Sequence, residues 1–330
     1  TGGAMTRPAP PPRWKIMWYT FLDIFLTNFL KCFDKFLRVV GPVFVCFAVV
    51  LISGVVYSWF TFVLPVIAPP GSVLWTIYII VAAWLTFNVF WNYLITVVTP
   101  PGAVPHDYED PLPRDPESQL DMREEKHPDG FKRWCKKCRK PKPPRTHHCS
   151  VCRRCVLKMD HHCPWVSNCV GWRNYRTFFL FMAYLWVGCL YVMATSAPTF
   201  IKHIRTRGPI TPGHTYVVMS FILSFSVSIA VGLLLGWHVY LVATAQTTIE
   251  WYGNRMRGEE ARKQGLRPWV NEWDVGWLEN TAMVLGSAPD PFAVHLWFLP
   301  TFKPPHGDGT SFNTRSQQAA AAQKAAQEHA

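Results

Sequence analysis

Residues 135–169 read CKKCRKPKPPRTHHCSVCRRCVLKMDHHCPWVSNC. Seven cysteines and four histidines (His147, His148, His161, His162) fall within these 35 positions. Thiolates and imidazoles at Cys-x2-Cys spacing are the donors of tetrahedral zinc. Two such sites need eight ligands. If each takes three Cys and one His, one Cys and two His are left over. A spare thiol beside a free imidazole and a carboxylate fits an activated nucleophile. Asp160-His161-His162-Cys163 supplies that set in four consecutive positions, and Pro164 then fixes the backbone. The surrounding segment, residues 131–175, has too few apolar residues to stabilise a domain of its size. Structural zinc, contributing on the order of 10 kcal/mol per site, supplies what the core lacks.

On either side of this module the chain turns strongly apolar. Four stretches, about 39–63, 73–98, 178–201 and 216–243, carry no Asp, Glu, Lys or Arg in their cores. Each exceeds the roughly 20 apolar residues that cross a bilayer. The expected fold is therefore an all-α polytopic membrane protein. It has four transmembrane helices, with a cytosolic two-zinc Cys-rich module between helices 2 and 3.

The charge distribution sets the orientation. The chain carries 33 Lys and Arg and a net charge of +12. Six basic residues precede the first span, none lies in the turn Pro69-Pro70-Gly71, sixteen lie between spans two and three, three between spans three and four, and eight after the last. Basic residues favour the cytosolic side, so both termini and the Cys-rich segment are expected there. That compartment is reducing, which argues against disulfides for the ten cysteines and leaves metal binding and catalysis. The basic charge sits beside membrane helices, and the run Pro141-Lys142-Pro143-Pro144 replaces any recognition helix, so no nucleic acid is expected as partner. No cleavable leader is read in 1–12, and the first span is expected to act as the insertion signal.

Along the chain, residues 1–13 are a disordered N-terminus. Residues 14–38 form an amphipathic interfacial helix, with Trp14, Trp18, Phe21, Phe25, Phe29 and Phe36 at helical spacing. Residues 39–98 hold transmembrane helices 1 and 2, Gly41-Pro42 opening the first. Residues 99–130 are a Pro- and acid-rich cytosolic linker. Residues 131–175 are the zinc-binding catalytic domain, 176–245 transmembrane helices 3 and 4, 246–305 a cytosolic C-terminal segment. Residues 306–330 are a disordered tail, with at most a short helix near 319–326. No internal repeat is read. Asn88 and Asn92 share a face that should point into the bundle. Cys46 and Cys189 are expected to pack within it. Cys32, near the first span, is a candidate for acylation. His238 reads as a hydrogen-bonded bundle residue rather than a catalyst. Gly188 and the row Ser220, Ser224, Ser228 suit either the passage of a lipid tail or close helix packing.

The module resembles the Cys-rich domain of the DHHC family of protein S-acyltransferases (palmitoyltransferases). The likeness runs from Cys135 to Tyr175 and includes His147-His148-Cys149, Lys158-Met159-Asp160-His161-His162-Cys163-Pro164-Trp165 and Asn168-Cys169-Val170-Gly171. Beyond it stand Thr247-Thr248-Ile249-Glu250 after span four and Gly276-x3-Asn280-x3-Val284-x-Gly286 near the C-terminus. One departure is Pro100-Pro101-Gly102, where the family usually has Asp-Pro-Gly; the turn itself is expected to survive.

The resemblance implies one zinc on Cys135, Cys138, His148 and Cys155, and a second on Cys149, Cys152, His162 and Cys169. It leaves Cys163 as nucleophile, His161 as general base and Asp160 as its orienter, with Thr248 supporting Asp160. It implies acyl-CoA, palmitoyl-CoA above all, as donor. Accessible cysteines of cytosolic or membrane-associated proteins are the acceptors, the bilayer is a partner, and an accessory subunit is left open. The expected location is an endomembrane such as Golgi or ER, or the plasma membrane. Trp165 is placed near the mouth of an acyl cavity. Lys136, Lys137, Arg139, Lys140 and Arg153 offer positive charge to the CoA phosphates, although no cofactor-binding residue can be singled out among them. The rival readings are a zinc scaffold without activity and a transporter. A transporter is disfavoured because no span carries a charge at its centre.

Overall fold

The computed structural model describes residues 13–109, 133–205, 212–286, 297–301, 305 and 307–328. The expected disorder of the first twelve residues and most of the linker (110–130) lie outside this set. Helix α1 spans Arg13–Ser58, runs into a π-helical turn at Trp59–Val63 and ends in the short α2, Leu64–Ile67. After a turn in which Gly71 adopts φ +80°, α3 spans Val73–Val98, its first turn capped by Ser72 Oγ accepting from the Trp75 N–H. Helices α4 (Tyr175–Arg205) and α5 (Pro212–Ala243) follow the Cys-rich module. Among the described residues four helices are long and apolar enough to cross a membrane, and the protein is an integral membrane protein. Asn88 and Asn92 are buried, as their shared face suggested. Their amide donors, however, bond carbonyls one turn back in their own helix, at Trp84 and Asn88. Cys189 is buried, whereas Cys46 faces outward.

The first boundary differs from the sequence reading. The separate helix expected over 14–38 and the span expected from residue 39 are one helix, unbroken through Gly41-Pro42. Proline at 42 removes one N–H and crowds the preceding turn. The helix is held here by neighbours on the module. Arg38 donates to the carbonyls of Val151 and Ser150, and Gly41 sits so close to Ser167 that any side chain there would collide with it.

The module itself is three antiparallel hairpins: β1 (Trp134–Cys135) with β2 (Lys140–Pro141), β3 (His147–Cys149) with β4 (Arg154–Val156), and β5 (His161–Cys163) with β6 (Asn168–Val170). It is bolted to the helix bundle by amides. Asn168 Nδ2 donates to the carbonyls of Thr96 and Val97 at the end of α3 and to that of its C-cap Thr99, and Asn174 Nδ2 donates to the Cys169 carbonyl. These carbonyls would otherwise be orphans at the helix end. The turn Pro100-Pro101-Gly102 survives without the family's Asp and docks on the module, accepting from the Arg173 and Leu157 N–H groups.

Helix α6 spans Thr248–Lys263 and α7 Trp277–Leu285. Asn280, in the C-terminal motif, donates to the Ala243 carbonyl at the end of α5. In the tail the short helix allowed near 319–326 is present and longer than expected, and the described residues before it pack on the rest of the protein rather than being disordered. Gly309 (φ +77°) lies flat on the Trp172 indole, and Phe312 meets Trp273 edge-on at 5.9 Å. Helix α8 then spans Arg315–Glu328. Thr314 and Gln317 start it with reciprocal side chain–backbone bonds of 3.3 and 3.0 Å, a capping box ahead of an Ala-rich run of high helix propensity.

Candidate active site and metal clusters

Two four-residue clusters assemble in the module, Cys135/Cys138/His148/Cys155 and Cys149/Cys152/His162/Cys169. Each starts in a knuckle: the N–H of the second cysteine donates to the first sulfur, Cys138 to Cys135 at 3.3 Å and Cys152 to Cys149 at 3.2 Å. Arg139 and Arg153, next in sequence, take left-handed φ of 53° and 55° to close those turns. Each cluster is completed by a cross-strand pair, His148 opposite Cys155 and His162 opposite Cys169. Successive strand residues face opposite sides. Thus β3 sends His148 to one cluster and Cys149 to the other.

The donors fit zinc. Bonds of about 2.3 Å to sulfur and about 2.0 Å to nitrogen at tetrahedral angles give S···N edges of ~3.5 Å and S···S edges of ~3.8 Å. His148 Nδ1 lies 3.5, 3.2 and 3.9 Å from the sulfurs of Cys135, Cys138 and Cys155. His162 Nδ1 lies 3.9, 3.4 and 3.6 Å from those of Cys149, Cys152 and Cys169.

The ligand positions also reveal a repeat that the sequence reading missed. Moving each ligand of the first cluster forward by 14 positions gives the second: 135 to 149, 138 to 152, 148 to 162, 155 to 169. Besides the ligands, the turn arginine recurs, as do the pairs His147/His161 and Val156/Val170; little else does, so general sequence similarity does not expose it. Under the same shift Cys149 maps onto Cys163. A third unit would need donors at 166, 176 and 183, where Val166, Arg176 and Ala183 stand. Cys163 therefore opens a metal unit that the chain does not complete.

Strand β5 turns His161 and Cys163 to one side and His162 to the other. Asp160, fully buried, accepts from His161 Nδ1 at 2.7 Å and from the Thr248 N–H and hydroxyl at 2.8 and 2.9 Å. Burial alone would raise the Asp160 pKa, yet these bonds and the neighbouring imidazoles hold it below the usual value. Burial alone would likewise depress His161. Its hydrogen bonds to Asp160 and Cys163, and their charges, outweigh that and raise it to about 9.

Thr248 can reach Asp160 because it is the first residue of α6. The N-cap Thr247 and Glu250 form a capping box, with bonds of 3.2 and 2.9 Å. Arg145 grips Glu250 with two bonds of 2.7 and 2.6 Å and donates to the Ala245 carbonyl. Trp273 and Phe312 cover its guanidinium. The sequence reading named neither Arg145 nor Glu250 as site residues, although Thr-x-x-Glu ahead of a helix is a capping-box signature. It also set His238 aside; His238 lies against His161 and Asp160. His147, one of the two spare imidazoles, is paired opposite Val156 and is not part of this group.

Cys163 opens onto an apolar cavity of about 410 Å³ that runs into the helix bundle. Trp165 lines it together with His161 and Cys163, as do Trp59 and Tyr191. Gly188 and Ser224 line it; Ser220 and Ser228 are buried without lining it.

A family model described as DHHC palmitoyltransferase matches residues 129–255. The chain is 37% identical over 233 residues to probable protein S-acyltransferase 16 of Arabidopsis thaliana, covering 70% of this chain and 78% of the relative. It is 38% identical over 219 residues to probable protein S-acyltransferase 15 of the same plant, covering 66% and 81%. It is 30% identical over 306 residues to palmitoyltransferase ZDHHC15 of Homo sapiens, covering 88% and 86%. The chain belongs to the DHHC palmitoyltransferase family and is an acyltransferase.

Proposed function

We propose that this member of the family transfers a long acyl chain, palmitoyl in the first instance, from acyl-CoA to cysteines of substrate proteins through an acyl-enzyme on Cys163. The observation that carries this reading is the pairing of Cys163 and His161 on one strand face at the mouth of an apolar cavity, with the other six module cysteines gathered in two metal clusters. His161 takes the thiol proton, and the Cys163 sulfur attacks the thioester carbonyl. The carbonyl–sulfur bond to CoA breaks, and His161 returns the proton to the departing CoA sulfur. In the second step His161 takes the proton of the incoming substrate thiol. That sulfur attacks the acyl-enzyme carbonyl, and the proton passes to the released Cys163. Asp160 keeps the His161 Nδ1 proton in place, so that Nε2 faces the reaction. Thr248 fixes Asp160.

Two structural zinc ions, one per cluster, would hold the hairpins in register; their role is to fix the loop that presents Cys163. The acyl chain enters the cavity, where each buried CH2 contributes about 0.8 kcal/mol. The module and both termini face the cytosol, where acyl-CoA is supplied, and the protein resides in an endomembrane or the plasma membrane. Incubating the purified protein with labelled palmitoyl-CoA tests this. Hydroxylamine-labile label on wild type and none on Cys163→Ser is expected; label persisting on the variant would place the nucleophile elsewhere.

A further inference from the structure

Tyr175 and His238 form a buried pair beside the site. The two side chains are 6% and 1% exposed, and the Tyr175 hydroxyl lies 2.8 Å from His238 Nδ1. Such a pair could simply join α4 to α5. Its surroundings point further. A His238 nitrogen lies within 4.8 Å of both an Asp160 carboxylate oxygen and a His161 ring nitrogen. The His238 ring is centred 6.0 Å from His161 and 5.4 Å from Phe178, and Phe178 meets His161 edge-on at 5.3 Å. The three rings form one packed group. Both ends of the pair are anchored to the site. Tyr175 follows Asn174, whose amide holds the Cys169 carbonyl, and the helix carrying His238 leads directly into Thr247-Thr248.

We propose that His238 is a positioning residue for acyl transfer. With the Tyr175 hydroxyl as donor to its Nδ1, the neutral ring carries its proton on Nε2. It thereby presents a polar, donor-bearing edge to the Asp160–His161 pair. Thr248 holds Asp160 from the N-terminus of α6; His238 approaches it from α5. Together they fix the carboxylate that sets the tautomer and tilt of His161. His238 touches neither substrate nor Cys163 in this role, so its loss should slow chemistry without weakening donor binding.

This inference rests on the acyl-enzyme reading, and the experiment separates the two. The rate of Cys163 acylation is measured in single turnovers on purified full-length protein over a range of palmitoyl-CoA concentrations, with metal content determined on the same samples. For His238→Ala the saturating rate is expected to fall about tenfold or more, the cost of a slightly misplaced catalytic group, with half-saturation and metal content unchanged. His238→Gln, which restores an amide near Nε2, should recover most of the rate. Tyr175→Phe should slow acylation, and adding it to His238→Ala should cause no further loss. A saturating rate within twofold of wild type in His238→Ala overturns the proposal. So does a His238→Gln variant as slow as the alanine one, which would reduce the pair to helix packing. If His238→Ala does not fold, Tyr175→Phe decides, an unchanged rate refuting it. Wild type that forms no acyl-enzyme on Cys163 sinks the parent reading, and this one with it.

Discussion

Replacing Arg145 by methionine removes the clamp on the helix that holds Asp160. Arg145 and Glu250 are 4% and 12% exposed at their side chains and share a bidentate pair. Taking away the guanidinium strands the Glu250 carboxylate where water cannot replace it. Breaking a buried pair in this way costs about 3–5 kcal/mol. In a protein of this size that corresponds to a fall in melting temperature on the order of 10 °C. Arg145→Met/Glu250→Met buries no charge and should recover most of that loss, leaving roughly 1 kcal/mol for the missing cap. Activity should not recover with it. The capping box sets the first turn of α6, and Thr248 in that turn makes two of the bonds to Asp160. Melting curves and acylation rates on wild type, both single variants and the double variant close the cycle. Arg145→Met melting within about 2 °C of wild type, less than 1 kcal/mol would shift it, or a double variant no more stable than the single, would refute the argument that this ion pair ties the C-terminal helix to the site.

The remaining expectations concern metal, nucleophile and pH. Purified protein should contain two zinc ions per chain by elemental analysis, and His148→Ala should retain one at most and aggregate. Cys163→Ser should keep both metals and the wild-type melting temperature while losing acylation, whereas Cys155→Ser should lose a metal and melt early; a metal lost from Cys163→Ser would make that residue a ligand. Because His161 is raised from 6.5 to about 9 on folding, the stability from its pairing with Asp160 is fully present below pH 6.5 and is lost as pH rises through about 9. Melting temperature should therefore decline across that window in wild type and decline less in Asp160→Asn, a difference read from parallel pH series. Tags at either terminus should be accessible only from the cytosolic side of sealed vesicles.

What could be read from the sequence was what is local. Uncharged apolar runs mark membrane helices without any knowledge of packing, and Cys-x2-Cys spacing marks a knuckle because two residues are what the turn needs. The thiol count alone left one cysteine over. Features decided by contact were not legible. Gly41-Pro42 reads as a helix start, yet the helix continues because Arg38 and Gly41 are held against the module. The C-terminal tail reads as polar disorder, yet a distant contact orders it: Gly309 fits flat on Trp172, a residue at the far end of the Cys-rich module. His238 looked like bundle glue because nothing in its own helix says that Asp160 and His161 lie beside it. Glu250 is visible in the sequence as the end of the Thr247-Thr248-Ile249-Glu250 motif, and its capping role is legible there too, since a capping box is a local signal.

The 14-residue offset gives a physical reason for the position of the spare thiol. Each unit consists of a Cys-x2-Cys knuckle and a His–Cys cross-strand pair, and each His is followed directly by the first cysteine of the next unit. His148 is followed by Cys149, which opens the second cluster; His162 is followed by Cys163, which finds no further cluster to open. The strand that delivers His162 to a metal must, by alternation, turn its two neighbours the other way. One neighbour is Cys163 and the other is His161, so the same geometry that anchors the strand places a thiol and an imidazole together on its free face. Asp160, one residue earlier, needs only a partner from outside the module to be held in place, and the start of α6 provides it through Thr248. On the proposed function, metal binding and acyl chemistry use opposite faces of one three-residue strand. This is why a ligand variant should destroy both, while a nucleophile variant should spare the fold.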